Sequence, residues 1–283
     1  MKKYLVDDTE YYVRTAGSGP IMLFAHGFPF DSRLYEPVVE RLQSHFFCVV
    51  PDLRGFGMTK LGANGHNPQG APRVKMGRFA DDLAILVSEI ACQRRDKNAK
   101  IILCGLSMGG YVSLAFARRR PERLAGLVFC DSNATQDSPE KARERMQLAD
   151  SINALLIPSL ADAMVPNLLA PETPRKNPHV VVALREMIAS QSPEAIAAGA
   201  RGMAKREDSS DVLPRIEVPT LVLGGEFDKL SSPASLDAIA SAIPDATRAT
   251  VADSGHVPPM ENPDGFADAV IAWYEERVKS RFN

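Results

Sequence analysis

Short runs of apolar residues alternate along this chain with segments of helical periodicity. The apolar runs are four to seven residues long and end in turn residues, clearly at residues 21–25, 46–50, 101–104, 124–130 and 219–223 and more weakly at 11–15 and 247–251. Continuous apolarity over such lengths is typical of strands buried on both faces. Helical periodicity lies between most of them, at residues 33–42, 79–91, 108–119, 234–242 and 266–278. This alternation predicts the α/β fold class, with a mostly parallel twisted sheet covered by helices on both faces.

One long segment interrupts the alternation of strands and helices. Residues 133–212 contain no convincing strand pattern, but they contain helical patterns at 139–157, 160–169, 178–190 and 193–205. Pro139 and Pro193 suit first helical turns. Helices are expected to stop at four other prolines, Pro158, Pro171, Pro174 and Pro178. The chain is therefore predicted to be a core, residues 1–132 and 213–283, interrupted by a helical insertion at 133–212.

The segment around Ser107 carries the strongest chemical signal. Gly105-Leu106-Ser107-Met108-Gly109 follows an apolar run and precedes an amphipathic helix. A serine on so sharp a turn has a strained backbone, and side chains two positions away on either side would clash, which explains both glycines. The turn exposes the hydroxyl beside a helix N-terminus, where developing negative charge is stabilised. Ser107 is therefore the predicted nucleophile.

A serine hydroxyl needs a base that is itself held by a third group. Among the five histidines, His256 lies just past a late apolar run and before the final helical pattern. Loops at the carboxyl ends of parallel strands meet in one crevice, so His256 can reach a serine that also follows a strand. His256 is the predicted base.

The orienting acid is expected to follow another strand. Asp228 ends the segment GGEFD after the apolar run at 219–223 and is the preferred candidate. Two alternatives stay open at this point. Asp131 follows the run at 124–130, and Glu226 lies two residues before Asp228.

An oxyanion requires at least two backbone donors. One predicted donor is the amide of Met108, directly after the nucleophile, and the other is the amide of Phe28 in the loop after an early strand. Gly27 allows the chain to turn closely there, and Pro29 directs its exit. His26 is interpreted mainly as a residue that shapes this loop rather than as a second base.

Composition and charge exclude several classes of protein. The 283 residues carry 33 basic and 35 acidic side chains, a net charge of −2, so neither a nucleic acid nor an anionic membrane is an expected partner. The four cysteines form no CxxC pair and are predicted to be free, mostly buried thiols. The N-terminal residues do not read as a signal peptide, and no run reaches the roughly 18 apolar residues of a membrane helix. A cytoplasmic location is expected, with no metal and no organic cofactor.

These motifs together resemble the α/β-hydrolase fold family. The resemblance covers nearly the whole chain and rests on five segments in the family's order: HGFP at 26–29, DLRGFG at 52–57, GLSMGG at 105–110, GGEFD at 224–228 and SGHVPPMENP at 254–263. Within the family, the chain is most similar to the 3-oxoadipate enol-lactonase and carboxylesterase branch. The dehalogenase and epoxide-hydrolase branch has a similar HGFP loop but an aspartate where this chain has Ser107. The resemblance implies that the insertion at 133–212 forms a cap over the site.

The expected activity is hydrolysis of carboxylic ester or lactone bonds in a small molecule, by a Ser107–His256–Asp228 triad through an acyl-enzyme. Hydrolysis of a carbon–carbon bond in a diketone uses the same triad and stays open as an alternative. A second class of alternative is a small-ligand-binding protein that uses a hydrolase fold without turnover. A chromogenic short-chain ester separates the binding protein from the enzymes.

Residues that contact the substrate are harder to predict. Methionine and leucine side chains of the insertion suit an apolar acyl pocket, although plain helix packing is the commoner reason for them. The residues predicted to line the substrate site are His26, Met146, Leu168, Met187 and Val257.

Overall fold

The computed structural model describes residues 1–96 and 98–282 and contains one eight-stranded sheet. Its strand order is β1-β2-β4-β3-β5-β6-β7-β8. Strands β1 and β2 run antiparallel to their neighbours, and the other six are parallel to one another. The strands are β1 (Lys2–Val6), β2 (Thr9–Ala16), β3 (Ile21–Ala25), β4 (Phe47–Pro51), β5 (Ile101–Leu106), β6 (Leu124–Cys130), β7 (Thr220–Gly225) and β8 (Ala246–Val251).

Eleven α-helices accompany the sheet within the described residues. Six belong to the core: α1 (Glu36–Leu42), α2 (Met76–Gln93), α3 (Met108–Arg119), α9 (Pro233–Ala242), α10 (Pro258–Glu261) and α11 (Pro263–Trp273). Five lie between β6 and β7: α4 (Pro139–Ser151), α5 (Ile157–Leu168), α6 (Thr173–Lys176), α7 (Pro178–Ala189) and α8 (Pro193–Ala204). A π-helical turn at Tyr274–Val278 extends α11.

Two apolar layers cover the two faces of the sheet. Successive side chains of a strand point to opposite faces, so Leu23 of β3 packs in the layer that contains α2 and α3, whereas Met22 packs with α1 and α11. Both faces are therefore buried, which explains the continuous apolar runs of the parallel strands. The predicted fold class is confirmed.

The insertion helices share these apolar layers. Helix α4 lies against α8, and α5 lies against α7. Val165 of α5 and Leu184 of α7 belong to the layer of α1 and α11, while Ala198 of α8 belongs to the layer of α2 and α3. The insertion therefore contributes side chains to both apolar layers, one on each face of the sheet.

The expected role of several prolines was wrong. Pro158, Pro174 and Pro178 lie in the first turns of α5, α6 and α7, so they begin helices instead of ending them. The first turn of a helix has N–H groups without intrahelical partners, and proline lacks that N–H. The predicted helix at 139–157 also ends earlier, at Ser151. A turn follows it, in which the side chain of Asn153 accepts the N–H of Leu155.

All four cysteines are free, with Cys48, Cys104 and Cys130 buried and Cys92 exposed. Within the described part of the chain, each helix is too short or too polar to cross a lipid bilayer.

Candidate active site

Ser107 lies at the sharp turn that joins β5 to α3. Its φ of 55° and ψ of −114° are in a region that residues with side chains rarely adopt. A Cβ on Gly105 would lie 2.3 Å from the carbonyl oxygen of Gly109, and a Cβ on Gly109 would lie 1.9 Å from the carbonyl oxygen of Ala25. The predicted steric reason for both glycines is confirmed.

The strained backbone of Ser107 is held by the neighbouring strand. Its N–H donates to the carbonyl oxygen of Cys130 at 2.9 Å, and its own carbonyl oxygen accepts from Oγ of Ser132 at 2.7 Å. Ser107 is half-buried. The turn therefore presents a serine in a fixed position at the carboxyl edge of the sheet.

The sequence predicts two backbone donors for an oxyanion beside this serine, the amides of Phe28 and Met108. Among the described residues, the N–H groups of Phe28 and Met108 have no hydrogen-bond acceptor. Met108 begins α3, and the first N–H groups of a helix lack intrahelical partners. Both amides therefore remain available to an oxyanion.

His256 and Asp228 are in direct contact. Nδ1 of His256 donates to Oδ2 of Asp228 at 2.9 Å, and both side chains are buried, at 4% and 7% exposure. Asp228 also accepts the N–H groups of Leu230 at 2.8 Å and Ser231 at 3.1 Å. Burial acts to raise the pKa of Asp228, but the hydrogen bond and charge of His256, together with other hydrogen bonds such as that from the N–H of Leu230, outweigh it, so this pKa lies below its ordinary value. Asp228 therefore faces His256 as a carboxylate.

The third contact of a triad is not formed. Within residues 1–96 and 98–282, the hydroxyl of Ser107 makes no hydrogen bond, and Nε2 of His256 has no partner either. Catalytic hydrogen bonds in unliganded enzymes are often long and tighten only when substrate binds. The structure thus joins the predicted base to the predicted acid and leaves Ser107, the predicted nucleophile, without a hydrogen bond from its hydroxyl.

The two alternative acids lie in different surroundings. Glu226 is exposed and accepts the N–H of Asp253 at 3.1 Å. Asp131 is completely buried, and its Oδ1 accepts the N–H of Gly225 at 3.0 Å. Because Asp228 makes the hydrogen bond to Nδ1 of His256, it is the acid that the geometry favours.

Asp131 nevertheless lies beside the pair formed by Asp228 and His256. One ligand atom from each of these three residues lies within 4.8 Å of the others, a grouping that has the composition of a metal site. Each aspartate has a hydrogen-bond donor of its own, because His256 donates to Asp228 and Gly225 donates to Asp131. From the sequence, Asp131 and Asp228 are alternative candidates for the same role. No sequence pattern predicts that both lie beside His256.

His26 holds the predicted oxyanion loop, residues 26–29, through both ring nitrogens. Nδ1 lies 2.9 Å from the carbonyl oxygen of Gly27, and Nε2 lies 2.9 Å from the N–H of Leu53. Only the tautomer with the proton on Nδ1 satisfies both contacts. Burial lowers the pKa of His26, which is 1% exposed. The ring therefore has no free nitrogen for a substrate, contrary to its place among the predicted substrate contacts.

The other predicted substrate contacts are mostly core residues. Leu168, Met187 and Val257 are almost fully buried in the apolar layer of α1 and α11, and Met146 is half-buried on α4. Leu168 reaches the site through its backbone, because its carbonyl oxygen accepts the N–H of His256 at 2.7 Å. Plain packing is therefore the role that the structure favours for the three buried side chains.

Glu261 is a site residue that sequence reasoning missed. It is buried, and Oε2 accepts the N–H of Gly255 at 2.7 Å. Oε1 accepts from the N–H of Ala170 at 2.7 Å and from Oγ1 of Thr173 at 2.6 Å. Burial raises the pKa of Glu261. Its position in the segment SGHVPPMENP was the available signal, but two of its partners, Ala170 and Thr173, lie 91 and 88 residues away in the insertion.

Helix α8 of the insertion touches the predicted oxyanion loop. A Cβ on Gly199 would lie 3.0 Å from Cδ2 of Phe28 and 2.9 Å from Cζ of Phe56. The rings of Phe28 and Phe56 meet edge to face, with centroids 6.1 Å apart. Gly199 therefore lets the helix pack closely against the residue whose amide is a predicted oxyanion donor.

Comparison with known proteins agrees with this architecture. Residues 22–269 match the model of a family described as the alpha/beta hydrolase family. Because the match covers most of the chain, the protein belongs to the alpha/beta hydrolase family. The resemblance drawn from the sequence motifs is confirmed.

Solved structures and a curated relative lie close to this chain. A thermophilic esterase from Thermogutta terrifontis, solved with malate bound, is 38% identical with a TM-score of 0.90, over 98% of this chain and 99% of that one. The enol-lactonase from Burkholderia xenovorans LB400 is 25% identical with a TM-score of 0.84, over 97% and 100%. A 2-(acetamidomethylene)succinate hydrolase from Mesorhizobium japonicum is 27% identical over 254 residues, 86% of this chain and 84% of the relative.

Proposed function

We propose that this protein is a serine hydrolase that cleaves carboxylic ester or lactone bonds of a small molecule. The observation that carries the proposal is the strained backbone of Ser107 at the turn from β5 to α3, with the hydrogen-bonded pair of His256 and Asp228 at the same edge of the sheet. The similarity to an esterase and to an enol-lactonase supports an ester or lactone as the substrate class.

In the proposed mechanism, Oγ of Ser107 attacks the carbonyl carbon while Nε2 of His256 accepts its proton. Asp228 holds the proton on Nδ1 and stabilises the imidazolium that forms. The amides of Phe28 and Met108 donate to the tetrahedral oxyanion. His256 then gives its proton to the leaving alkoxide, which departs as the alcohol or stays attached when the substrate is a lactone.

The second half of the reaction repeats these roles with water. Nε2 of His256 takes a proton from a water molecule, whose oxygen attacks the acyl-enzyme carbonyl. The same two amides hold the oxyanion. The imidazolium returns its proton to Oγ of Ser107 as the acid leaves, so each turnover consumes one water and restores the enzyme.

We further propose that the insertion, residues 133–212, is the cap of this site. Its Leu168 accepts the backbone N–H of His256, and its Gly199 packs on Phe28. Helices that contact both the base and an oxyanion loop are suited to control which substrates enter.

The test of the proposed function is substitution of the nucleophile. Ser107→Ala should lose labelling by a fluorophosphonate and lose turnover of a chromogenic short-chain ester by about 10⁴-fold or more. Ser241→Ala, on the exposed face of α9, is the matched control and should keep both. Labelling that survives in Ser107→Ala would mean that another serine is the nucleophile. A wild-type protein that binds esters without turnover would support the binding-protein alternative.

A further inference from the structure

Two buried carboxyl groups lie side by side next to His256. Asp131 and Asp228 follow β6 and β7, which are neighbouring strands of the sheet. One oxygen of each lies within 4.8 Å of the other and of a ring nitrogen of His256. Two carboxylates so close in the protein interior repel each other strongly, and such pairs hold one proton between them.

The hydrogen-bond donors around the pair decide which carboxyl keeps that proton. Asp228 accepts from His256, Leu230 and Ser231, all of which favour its ionised form. Asp131 has one backbone donor, the N–H of Gly225, and the weak thiol donor of Cys130 at 3.3 Å. The proton therefore belongs on Asp131.

No cation among the described residues compensates a charge on Asp131 by a direct ion pair. The guanidinium of Arg248, on the adjacent β8, is near this part of the sheet, but its Nε pairs with Asp237 at 3.0 Å. The remaining titratable groups that face Asp131 are the Cys130 thiol, Asp228 and His256. Burial, with the charge of Asp228, raises the pKa of Asp131 well above its ordinary value.

We propose that Asp131 is a positioning residue that stays protonated at neutral pH and donates its carboxyl hydrogen to Asp228. This inference rests on the proposed triad, because Asp131 acts on His256 only through Asp228. The donated hydrogen bond gives the Asp228 carboxylate a further fixed partner besides His256 and withdraws part of its negative charge. Asp131 thereby sets both the orientation of the acid and the basicity of His256.

Two substitutions separate this role from plain packing. In Asp131→Asn the amide can donate to Asp228 while its oxygen accepts the N–H of Gly225, so the acidic limb of the kcat/KM pH profile should stay in place. Asn also tolerates the left-handed backbone of position 131, where φ is 43°. Asp131→Ala removes the donor, which leaves more charge on Asp228. The acidic limb should then move upward by roughly one pH unit, the size of one hydrogen bond to a charged group.

Infrared spectroscopy tests the protonation state without any turnover. Wild-type protein at neutral pH should show the carbonyl band of a protonated carboxyl group, and the difference spectrum against Asp131→Asn should show that band lost on substitution, while the circular dichroism spectrum stays that of wild type. The same spectrum should keep the band in Ser107→Ala, so failure of the hydrolase proposal leaves this measurement interpretable.

The proposal is overturned if the wild-type protein lacks this band, or if the band has the same intensity in Asp131→Asn. It is also overturned if Asp131→Asn moves the acidic limb as far as Asp131→Ala does, because the charge of Asp131 would then matter and not its donor. If Asp131→Ala does not fold, the infrared band and the pH profile of Asp131→Asn still decide.

Discussion

The backbone N–H of His256 donates a hydrogen bond of 2.7 Å to the carbonyl oxygen of Leu168, the last residue of α5. The proposed catalytic base is thus fastened to the insertion by its own main chain. Gly255 allows the close approach, since a Cβ there would lie 2.6 Å from the same carbonyl oxygen. Glu261 closes the junction by accepting N–H groups from both sides, Gly255 and Ala170. A change in this junction can reach the base without touching a substrate.

Glu261→Gln should weaken that junction. The two carboxylate oxygens of Glu261 each accept a backbone N–H, whereas an amide has one oxygen and one NH₂ group. Either orientation of the glutamine leaves one buried N–H without an acceptor, which should cost about 1–3 kcal/mol in the free energy of unfolding. Turnover should also fall, because the loop before His256 loses an anchor.

Urea unfolding and kcat measurements check this expectation, with Glu89→Gln on the exposed face of α2 as the matched control. The control should change neither quantity. If Glu261→Gln is as stable and as active as the control, the carboxylate of Glu261 does not stabilise the loop that contains Gly255 and His256.

Gly109→Ala should disrupt the turn from β5 to α3 that carries Ser107. Its Cβ would lie 1.9 Å from the carbonyl oxygen of Ala25, a backbone atom that cannot move without displacing β3. Fluorophosphonate labelling should be lost or strongly slowed, together with several kcal/mol of stability, since overpacking against backbone exceeds the about 1–3 kcal/mol typical of side-chain overpacking.

Gly70→Ala is an informative comparison for this variant. Gly70 has a φ of 79°, but nothing lies within 4 Å of a Cβ placed there. Its replacement should therefore lower the free energy of unfolding only by the cost of a left-handed backbone, about 1–2 kcal/mol, and should leave fluorophosphonate labelling intact. Gly109 lies in α3 and has no positive φ, so equal effects of the two substitutions would show that the contact with Ala25 adds no special cost at position 109.

The parts of the fold that could be predicted are those whose residues carry local signals. β3 and β6 have the predicted bounds because strands buried on both faces are continuous apolar runs between turns. β1 was missed, since only Tyr4 and Val6 of this edge strand are buried and its apolar run is only three residues long, Tyr4–Val6.

The candidate site likewise has parts that local sequence signals predict and parts that depend on tertiary contacts. Ser107 and its glycines have a local steric reason, so the sequence alone identifies them. The neighbourhood of Asp131 and Asp228 depends on the pairing of β6 with β7, in which Cys130 lies opposite Leu223. The partners of Glu261 depend on how the insertion folds back onto the histidine loop. No local pattern encodes either relationship, because each arises from tertiary packing.

The pH dependence of stability should change in Asp131→Asn. Because the pKa of Asp131 is raised, the folded protein keeps a proton that the unfolded chain releases above about pH 4. The contribution of this group is therefore fully present below that pH and declines as pH rises toward the raised pKa, by roughly 1.4 kcal/mol per pH unit. The asparagine variant lacks this decline. The lowered pKa of Asp228 acts in the opposite direction in both proteins and largely cancels in the comparison.

Urea unfolding of wild type and Asp131→Asn between about pH 4 and pH 8 measures this difference. The free energy of unfolding of the variant should gain on that of wild type as pH rises. Parallel curves across this range would contradict a proton held on Asp131.

Gly199→Ala should impair the oxyanion loop from the side of the insertion. The added methyl group would lie 2.9 Å from Cζ of Phe56 and 3.0 Å from Cδ2 of Phe28. Phe56 is fully buried, whereas Phe28 is only partly buried, so the ring of Phe28 should yield. A shift of Phe28 moves its backbone N–H away from the oxyanion, and loss of one such donor costs about 10²-fold or more in kcat. Stability should change little, because alanine favours the helix by about 1 kcal/mol over glycine and offsets part of the crowding.

A double-mutant cycle identifies the ring as the cause of this loss. Phe28→Leu shortens the side chain that meets the methyl group, so Gly199→Ala should cost much less kcat in the Phe28→Leu background than in wild type. Glu194→Ala, on the exposed part of α8, raises helix propensity without reaching the loop and should leave kcat unchanged. If Gly199→Ala costs the same kcat with either residue at position 28, the insertion does not act on the oxyanion hole through Phe28. Its influence on turnover would then run through the junction of Leu168 with His256.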